Sequence, residues 1–209
     1  MLFPLTPVLD NFTGANGVAL NSSLWGLDPY AVSYTTPHYN ASNQCALNTS
    51  EAAYWLGQFA QNQECFATWV SGNHSLHVRI TPGTGNAYAI RTAAGNLDLY
   101  RNDGSAVTVL TSTPITFTSG DKWGIRAVGS TITAWYAPAG VFPSTPTLTW
   151  TDGTYIKPGA IAILCSGTTG SNSVLDDFGG GNVYTKNYPQ YFVDGTISTF
   201  GLNTVDRVK

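Results

Sequence analysis

Few residues in this chain of 209 have the chemistry for covalent catalysis, and fewer have the spacing. Glutamate occurs twice, at Glu51 and Glu64. Glycoside hydrolysis needs two carboxyl groups about 5–5.5 Å apart for retention, or about 6.5–9.5 Å for inversion. If 52–57 and 63–70 form a hairpin, the two glutamates stand several residues out of register, about 15 Å apart at a rise of about 3.3 Å per residue. Asp176 and Asp177 are adjacent, so on a strand their side chains point to opposite faces. His38, His74 and His77 have no serine or cysteine partner at a recognisable spacing, and no Gly-x-Ser-x-Gly elbow occurs. Surface or turn positions are expected for these histidines. Cys45, Cys65 and Cys165 stand far apart, which argues for half-buried thiols and against a disulfide framework or a zinc site. The expectation is a protein that is not an enzyme.

Composition narrows the partners. Charged residues are 10% of the chain, against about 25% in an average globular domain. The nine Lys and Arg are scattered and the net charge is −3, so neither a nucleic-acid footprint nor a polybasic lipid patch is present. No apolar run approaches the roughly 20 residues of a membrane-spanning helix, so no membrane insertion is expected. The opening MLFPLTPVLDNF has no Lys or Arg, is broken by Pro4 and Pro7, and lacks a small-residue cleavage site; no signal peptide is expected. Five Asn-x-Ser/Thr sequons, at Asn11, Asn21, Asn40, Asn48 and Asn73, are unremarkable in a chain this rich in Asn, Ser and Thr.

The elements that must position any site are strands. Thr, Val, Ile, Tyr and Trp dominate, punctuated by Gly, Asn, Asp and Pro, and helical periodicity is nearly absent. In 74–80, Leu76, Val78 and Ile80 share one face and His77 and Arg79 the other. Residues 122–128 turn Trp123, Ile125 and Ala127 inward and Lys122 and Arg126 outward. Residues 130–136 alternate Thr131, Thr133 and Trp135 against Ile132, Ala134 and Tyr136. Period-two alternation of this kind marks half-buried antiparallel strands. Asp103-Gly104 and Gly129-Ser130 suit two-residue hairpin turns. About a dozen strand candidates at the rhythm of a sandwich follow. Leu9-Asp10-Asn11-Phe12 echoes Leu175-Asp176-Asp177-Phe178, which suggests that the first and last strands pair and that the domain spans 1–181.

Gly179-Gly180-Gly181 then reads as a flexible joint, and 182–209 as a tail. The tail carries Tyr184, Tyr188, Tyr191, Phe192 and Phe200, and ordering it at roughly 1–2 kcal/mol per residue requires a docking surface. An assembly or anchoring role is expected for it, with self-association of the chain.

Several stretches resemble the concanavalin A-like lectin/glucanase superfamily. They include LDNFTGANGVALNSSLWG, NQCALNTSEAAYW, QECFATWV, AYAIRTAAGNLDLYRND, SGDKWGIRAVGSTITAWY, TDGTYIKPGAIAI and LDDFGGG. Over about 8–181 the chain is similar to a laminin-G-like subset of tailed-bacteriophage virion proteins. The resemblance implies an all-β antiparallel sandwich of jelly-roll form with a C-terminal extension. It also implies a non-enzymatic virion structural protein, made in the host cytoplasm. Such a protein would decorate capsid or tail through contacts with other virion proteins and adhere to host-surface glycans. A free carbohydrate-binding module and a degenerate glycoside hydrolase are the alternatives; the Glu-x-Asp-x-x-Glu strand of laminarinase-like relatives is missing. Glycan-stacking candidates are the outward-phase rings Tyr34, Tyr100 and Trp135, with Arg101 beside Tyr100. Relatives hold Ca²⁺ at the sandwich rim, for which Asp10 and Asp177 are the candidates if the terminal strands pair; turn capping is the other role open to them.

Overall fold

A computed structural model of the chain describes residues 2–27, 36–48, 51–104, 106–165 and 173–184, and the backbone at 191–193 and 196–198. In chain order the strands are β1 (Val8–Asp10), β2 (Trp25–Leu27), β3 (His38–Tyr39), β4 (Cys45–Leu47), β5 (Ala52–Trp55), β6 (Gln63–Ser71), β7 (His74–Ile80), β8 (Ala87–Ala93) and β9 (Asn96–Asn102). They continue with β10 (Val107–Pro114), β11 (Lys122–Val128), β12 (Thr131–Ala137), β13 (Leu148–Thr151), β14 (Ala160–Cys165), β15 (Ser173–Asn182), β16 (Tyr191–Val193) and β17 (Thr196–Ser198). Among the described residues the one helical element is a 3₁₀ turn, Pro138–Gly140.

Two antiparallel sheets form a sandwich. The eight-stranded sheet runs β13-β12-β11-β6-β15-β4-β3, with β1 added against β15. The seven-stranded sheet runs β10-β9-β8-β7-β14-β5-β2. The two segments that carry the Leu-Asp echo pair as expected, β1 against β15, with Val8 opposite Gly179 and Asp10 opposite Phe178. Alternation sends Leu76 and Val78 of β7, Leu97 and Leu99 of β9, and Trp123 and Ile125 of β11 into one shared core. Ile80, expected on the face of Leu76 and Val78, packs instead with Ala87, Ala160 and Ala162, because Arg79 before it takes a positive φ and breaks the alternation. Trp25 ties the layers together. From β2 of one sheet its ring packs 5.0 Å from Phe178 on β15 of the other, and 5.3 Å from Trp55.

Gly129-Ser130 makes the two-residue turn expected, between Val128 and its partner Thr131. Asp103-Gly104 does not. Asn102 pairs with Val107, and the Asp103 N–H donates to the Ala106 carbonyl, so the loop has four residues. Three further expectations are corrected. β5 and β6 lie in different sheets, so they form no hairpin. The Gly179–Gly181 run is no joint: it lies within β15 and pairs with Phe66, Cys65 and Glu64 of β6. Arg79, expected on an outward face, is fully buried, and its guanidinium donates to the carbonyls of Gln61, Tyr155 and Gly129 at 2.5, 2.9 and 2.7 Å. A cation with three carbonyl partners can be buried where a bare one could not.

Truncating Phe178 to Ala removes the ring that joins the sheets. A loss of about 3–5 kcal/mol of stability is expected, read as a lowered midpoint in urea unfolding.

Candidate functional site: a cleft where the strands end

Two of the expected glycan platforms, Trp135 and Tyr100, are not open. Trp135 does point outward from its sheet, yet it is 3% exposed because the Phe3 ring stacks on it at 4.1 Å and 5°. Tyr100 is also 3% exposed, its hydroxyl 3.3 Å from His77 Nε2 and its ring 5.3 Å beneath the Arg91 guanidinium. Arg101 spends its fork on two carboxylates, Asp103 at 2.9 Å and Asp152 at 2.7 Å. Arg101, and after it the Tyr155 hydroxyl, holds the Asp103 carboxyl below its ordinary range. Arg101 is thereby a staple between two loops. Tyr34, Tyr188 and Phe200 lie outside the described residues, as do the side chains of Tyr191 and Phe192. Tyr184 is 54% exposed and borders a cleft of about 430 Å³ with Asn62 and Asn182.

The acids are likewise engaged. Glu64 is fully buried and pairs with Arg126 at 2.5 Å, and Glu51 accepts from the Asn48 N–H at 2.7 Å and from its side-chain amide at 2.9 Å. Asp10 caps locally, with one oxygen accepting from the Phe12 N–H at 2.7 Å and the other from Trp25 Nε1 at 2.8 Å. Asp177 sits in the β15 bulge at φ +48° and accepts from the Thr68 hydroxyl at 3.2 Å. Calcium takes six to eight oxygens. An acid with both oxygens facing N–H donors does not fit that role, and among the described residues no cluster of three His, Cys, Asp or Glu could hold a metal ion. The capping role is the one the structure records.

His74 and His77, expected at the surface, are fully buried. His74 Nε2 lies 3.0 Å from the Val174 carbonyl, and His77 Nε2 lies 2.9 Å from Ser75 Oγ. Burial drives both imidazoles down to about 3, so both are neutral at physiological pH. Burial, reinforced by nearby carboxylates, raises the Cys45 and Cys65 thiols well above their ordinary range, which makes them inert packing groups.

A second aromatic cleft joins two half-buried rings. The β6–β7 turn, the β8–β9 turn and the segment after β10 meet at one end of the sandwich around a cleft of about 200 Å³. Trp69 and Phe117 line it, their rings 5.7 Å apart, together with Asn73, Thr92, Asn96 and Thr116. Local chemistry fixes each part. Trp69 Nε1 donates to the Gly72 carbonyl at 3.0 Å, which pins the indole over its own turn. Ala94 and Gly95 both take positive φ, closing a two-residue hairpin between Ala93 and Asn96. The Asp121 carboxylate accepts from the Thr118 N–H and the Tyr136 hydroxyl, which anchors the loop presenting Phe117. No titratable side chain lines the cleft among the described residues. An aromatic wall facing amides and hydroxyls suits the apolar and hydroxylated faces of a sugar ring. The signal for it in the sequence is slight: a Trp two residues before a Ser-Gly-Asn turn.

No protein-family model matches the chain, and no curated protein sequence matches it. Solved structures do. The exoplasmic/lumenal domain of VIP36, bound to Ca²⁺ and Man2, superposes with a TM-score of 0.55 at 13% identity, over 97% of this chain and 96% of that one. Carbohydrate binding module CBM66 from Bacillus subtilis gives 0.51 at 12% identity over 76% and 92%. A prokaryotic β-1,3-1,4-glucanase (lichenase) from a mouse hindgut metagenome gives 0.52 at 10% identity over 83% and 97%. The fold is therefore that of concanavalin A-like, jelly-roll lectins and glycoside hydrolases.

Two outcomes follow from the buried groups. Asp10→Ala strands the Trp25 and Phe12 donors and should cost about 1.5–3 kcal/mol, while millimolar Ca²⁺ should leave the melting temperature of the unaltered protein unchanged. The two buried imidazoles stay neutral when folded but take up protons near pH 6.5 when unfolded. The unfolded chain then binds more protons below about pH 7, so stability falls with acidification. The urea midpoint should be lower at pH 5 than at pH 7.5, with neither imidazole titrating by NMR in that window.

Proposed function

We propose that this protein is a non-enzymatic carbohydrate-binding domain and that the Trp69–Phe117 cleft is its sugar site. The observation that carries the reading is the composition of that cleft: two aromatic rings, two amides and two hydroxyls, with no carboxyl group among its described lining residues. Such a lining can hold a sugar ring but cannot protonate a glycosidic oxygen or attack an anomeric carbon. The neighbouring folds support the sugar-binding class, since they include a carbohydrate binding module and a VIP36 domain in a Ca²⁺/Man2-bound form. The glucanase among them keeps hydrolysis as the alternative. Against it stand the uses of the two glutamates, one in a buried ion pair and the other in a local cap. A place on a virion surface rests on the sequence resemblance alone, and the anchoring expected of the tail falls largely on residues outside the described set.

The test is a glycan array followed by calorimetry. Saturable binding of at least one glycan is expected, together with no release of reducing sugar from glucans. Trp69→Ala should abolish binding. Asn96→Ala, which leaves the rings in place, should weaken it about fivefold to tenfold, the loss of one hydrogen bond worth about 1 kcal/mol. Trp150→Ala, at a 41%-exposed ring on β13, should change nothing. Failure to bind any sugar on a broad panel would remove the reading.

A further inference from the structure

Residues 2–7 run along the outer face of the eight-stranded sheet, over a bed shaped to receive them. One cross-strand row of that face reads Gly179, Phe66, Gly124, Trp135 across β15, β6, β11 and β12. Glycine and aromatic residues alternate, so the row has ring-sized notches. The Phe3 ring fills the notch at Gly124, where a Cβ would come within 2.4 Å of Phe3 Cζ. Trp135 stacks on Phe3, and Phe142 and Phe66 present edges to it at 4.8 and 6.3 Å. At Gly179 the space is taken by the Phe66 ring and by the Pro7 carbonyl, which also accepts from the Gly180 N–H at 3.2 Å.

The next row reads Gly181, Glu64, Arg126, Thr133. Here the contacts are to main chain. One Glu64 oxygen accepts from the Leu5 N–H at 2.5 Å and from the Thr6 N–H and hydroxyl at 2.8 Å. Arg126 donates to the Leu2 carbonyl at 2.9 Å, with its guanidinium 5.1 Å above the Phe3 ring. The groove therefore recognises a short segment by its backbone at several residues and by one aromatic side chain. That is the chemistry of a peptide receptor, and its ligand is on view.

Nothing in these contacts distinguishes the chain's own residues 2–6 from those of another copy. We propose that this groove is a peptide-recognition site and that two molecules of the chain associate through it, each placing residues 2–6 in the groove of the other. A tethered segment acts at an effective concentration of about millimolar, so the chain's own arm holds the groove in dilute solution. Exchange takes over where copies are crowded together. The proposal is independent of sugar binding.

Two full-length variants separate arm from groove. Phe3→Ala weakens the arm and leaves the groove. Gly124→Leu fills the notch and leaves the arm. A fluorescein-labelled LFPLTP peptide should bind Phe3→Ala at least about tenfold more tightly than the unaltered chain, because self-occupancy is relieved, and should not bind Gly124→Leu. Mixed together, the two variants should sediment as a two-chain species at concentrations where each alone is a single chain. If Phe3→Ala does not unfold cooperatively, Thr6→Val, which removes one hydrogen bond from the arm, replaces it with the same readouts. No peptide uptake by a folded arm variant, equal uptake by Gly124→Leu, or a mixture that stays single-chain would overturn the proposal.

Discussion

A carboxylate and a guanidinium sit dehydrated on the outer face of a sheet, and much of the molecule is arranged around that. Glu64 and Arg126 are direct cross-strand neighbours on β6 and β11. Removing two such charges from water costs several kcal/mol per ion unless every lone pair and proton finds a partner. Their mutual bond engages one Glu64 oxygen, and residues 2–6 supply three donors to the other oxygen and a carbonyl acceptor to Arg126. Gly124 and Gly181 leave the surface low where the arm crosses it, and Gly179 makes room for both the Phe66 ring and the Pro7 carbonyl. One ion pair thus explains a glycine pattern in three places, a covered Trp135, and the withdrawal of a glutamate from any catalytic use.

The same logic locates the accessible chemistry. Aromatic residues that alternation turns outward, such as Trp135 and Tyr100, are buried under a stacked ring or within a polar network. A ring stays available where strands end and turns begin, because a loop can present a side chain without having to cover it. Trp69 and Phe117 are such rings, one braced by its own turn and the other by a loop that Asp121 caps. The scaffold behind them is sheet, and the two rings stand on its rim.

The two buried histidines show how far residue type alone misleads. Imidazoles flanking a strand suggest acid–base chemistry or a metal. Here desolvation keeps them neutral, and they pack against Trp69, Trp123 and Tyr100. Their burial trades acid stability for packing.

Local patterns in the chain were enough for the all-β class, the core faces of β11 and β12 and of β7 as far as Val78, the turn at Gly129-Ser130, and the pairing of the first strand with β15. Each depends on period-two alternation, turn chemistry or a repeated motif, which are properties of neighbours in sequence. Position relative to the other sheet, and to the arm, is not such a property. Alternation marks Trp135, Tyr100 and Arg126 as outward, but whether something lies over them depends on residues about 20 to 130 positions away. The glycine run of β15 reads as a hinge in isolation and becomes a bed only beside Phe66, Glu64 and Pro7. The cleft joins turns from three parts of the chain. Sequence determines which way a strand residue points; only the packed fold decides whether that direction ends in water, because burial is set by contacts the chain makes far from itself.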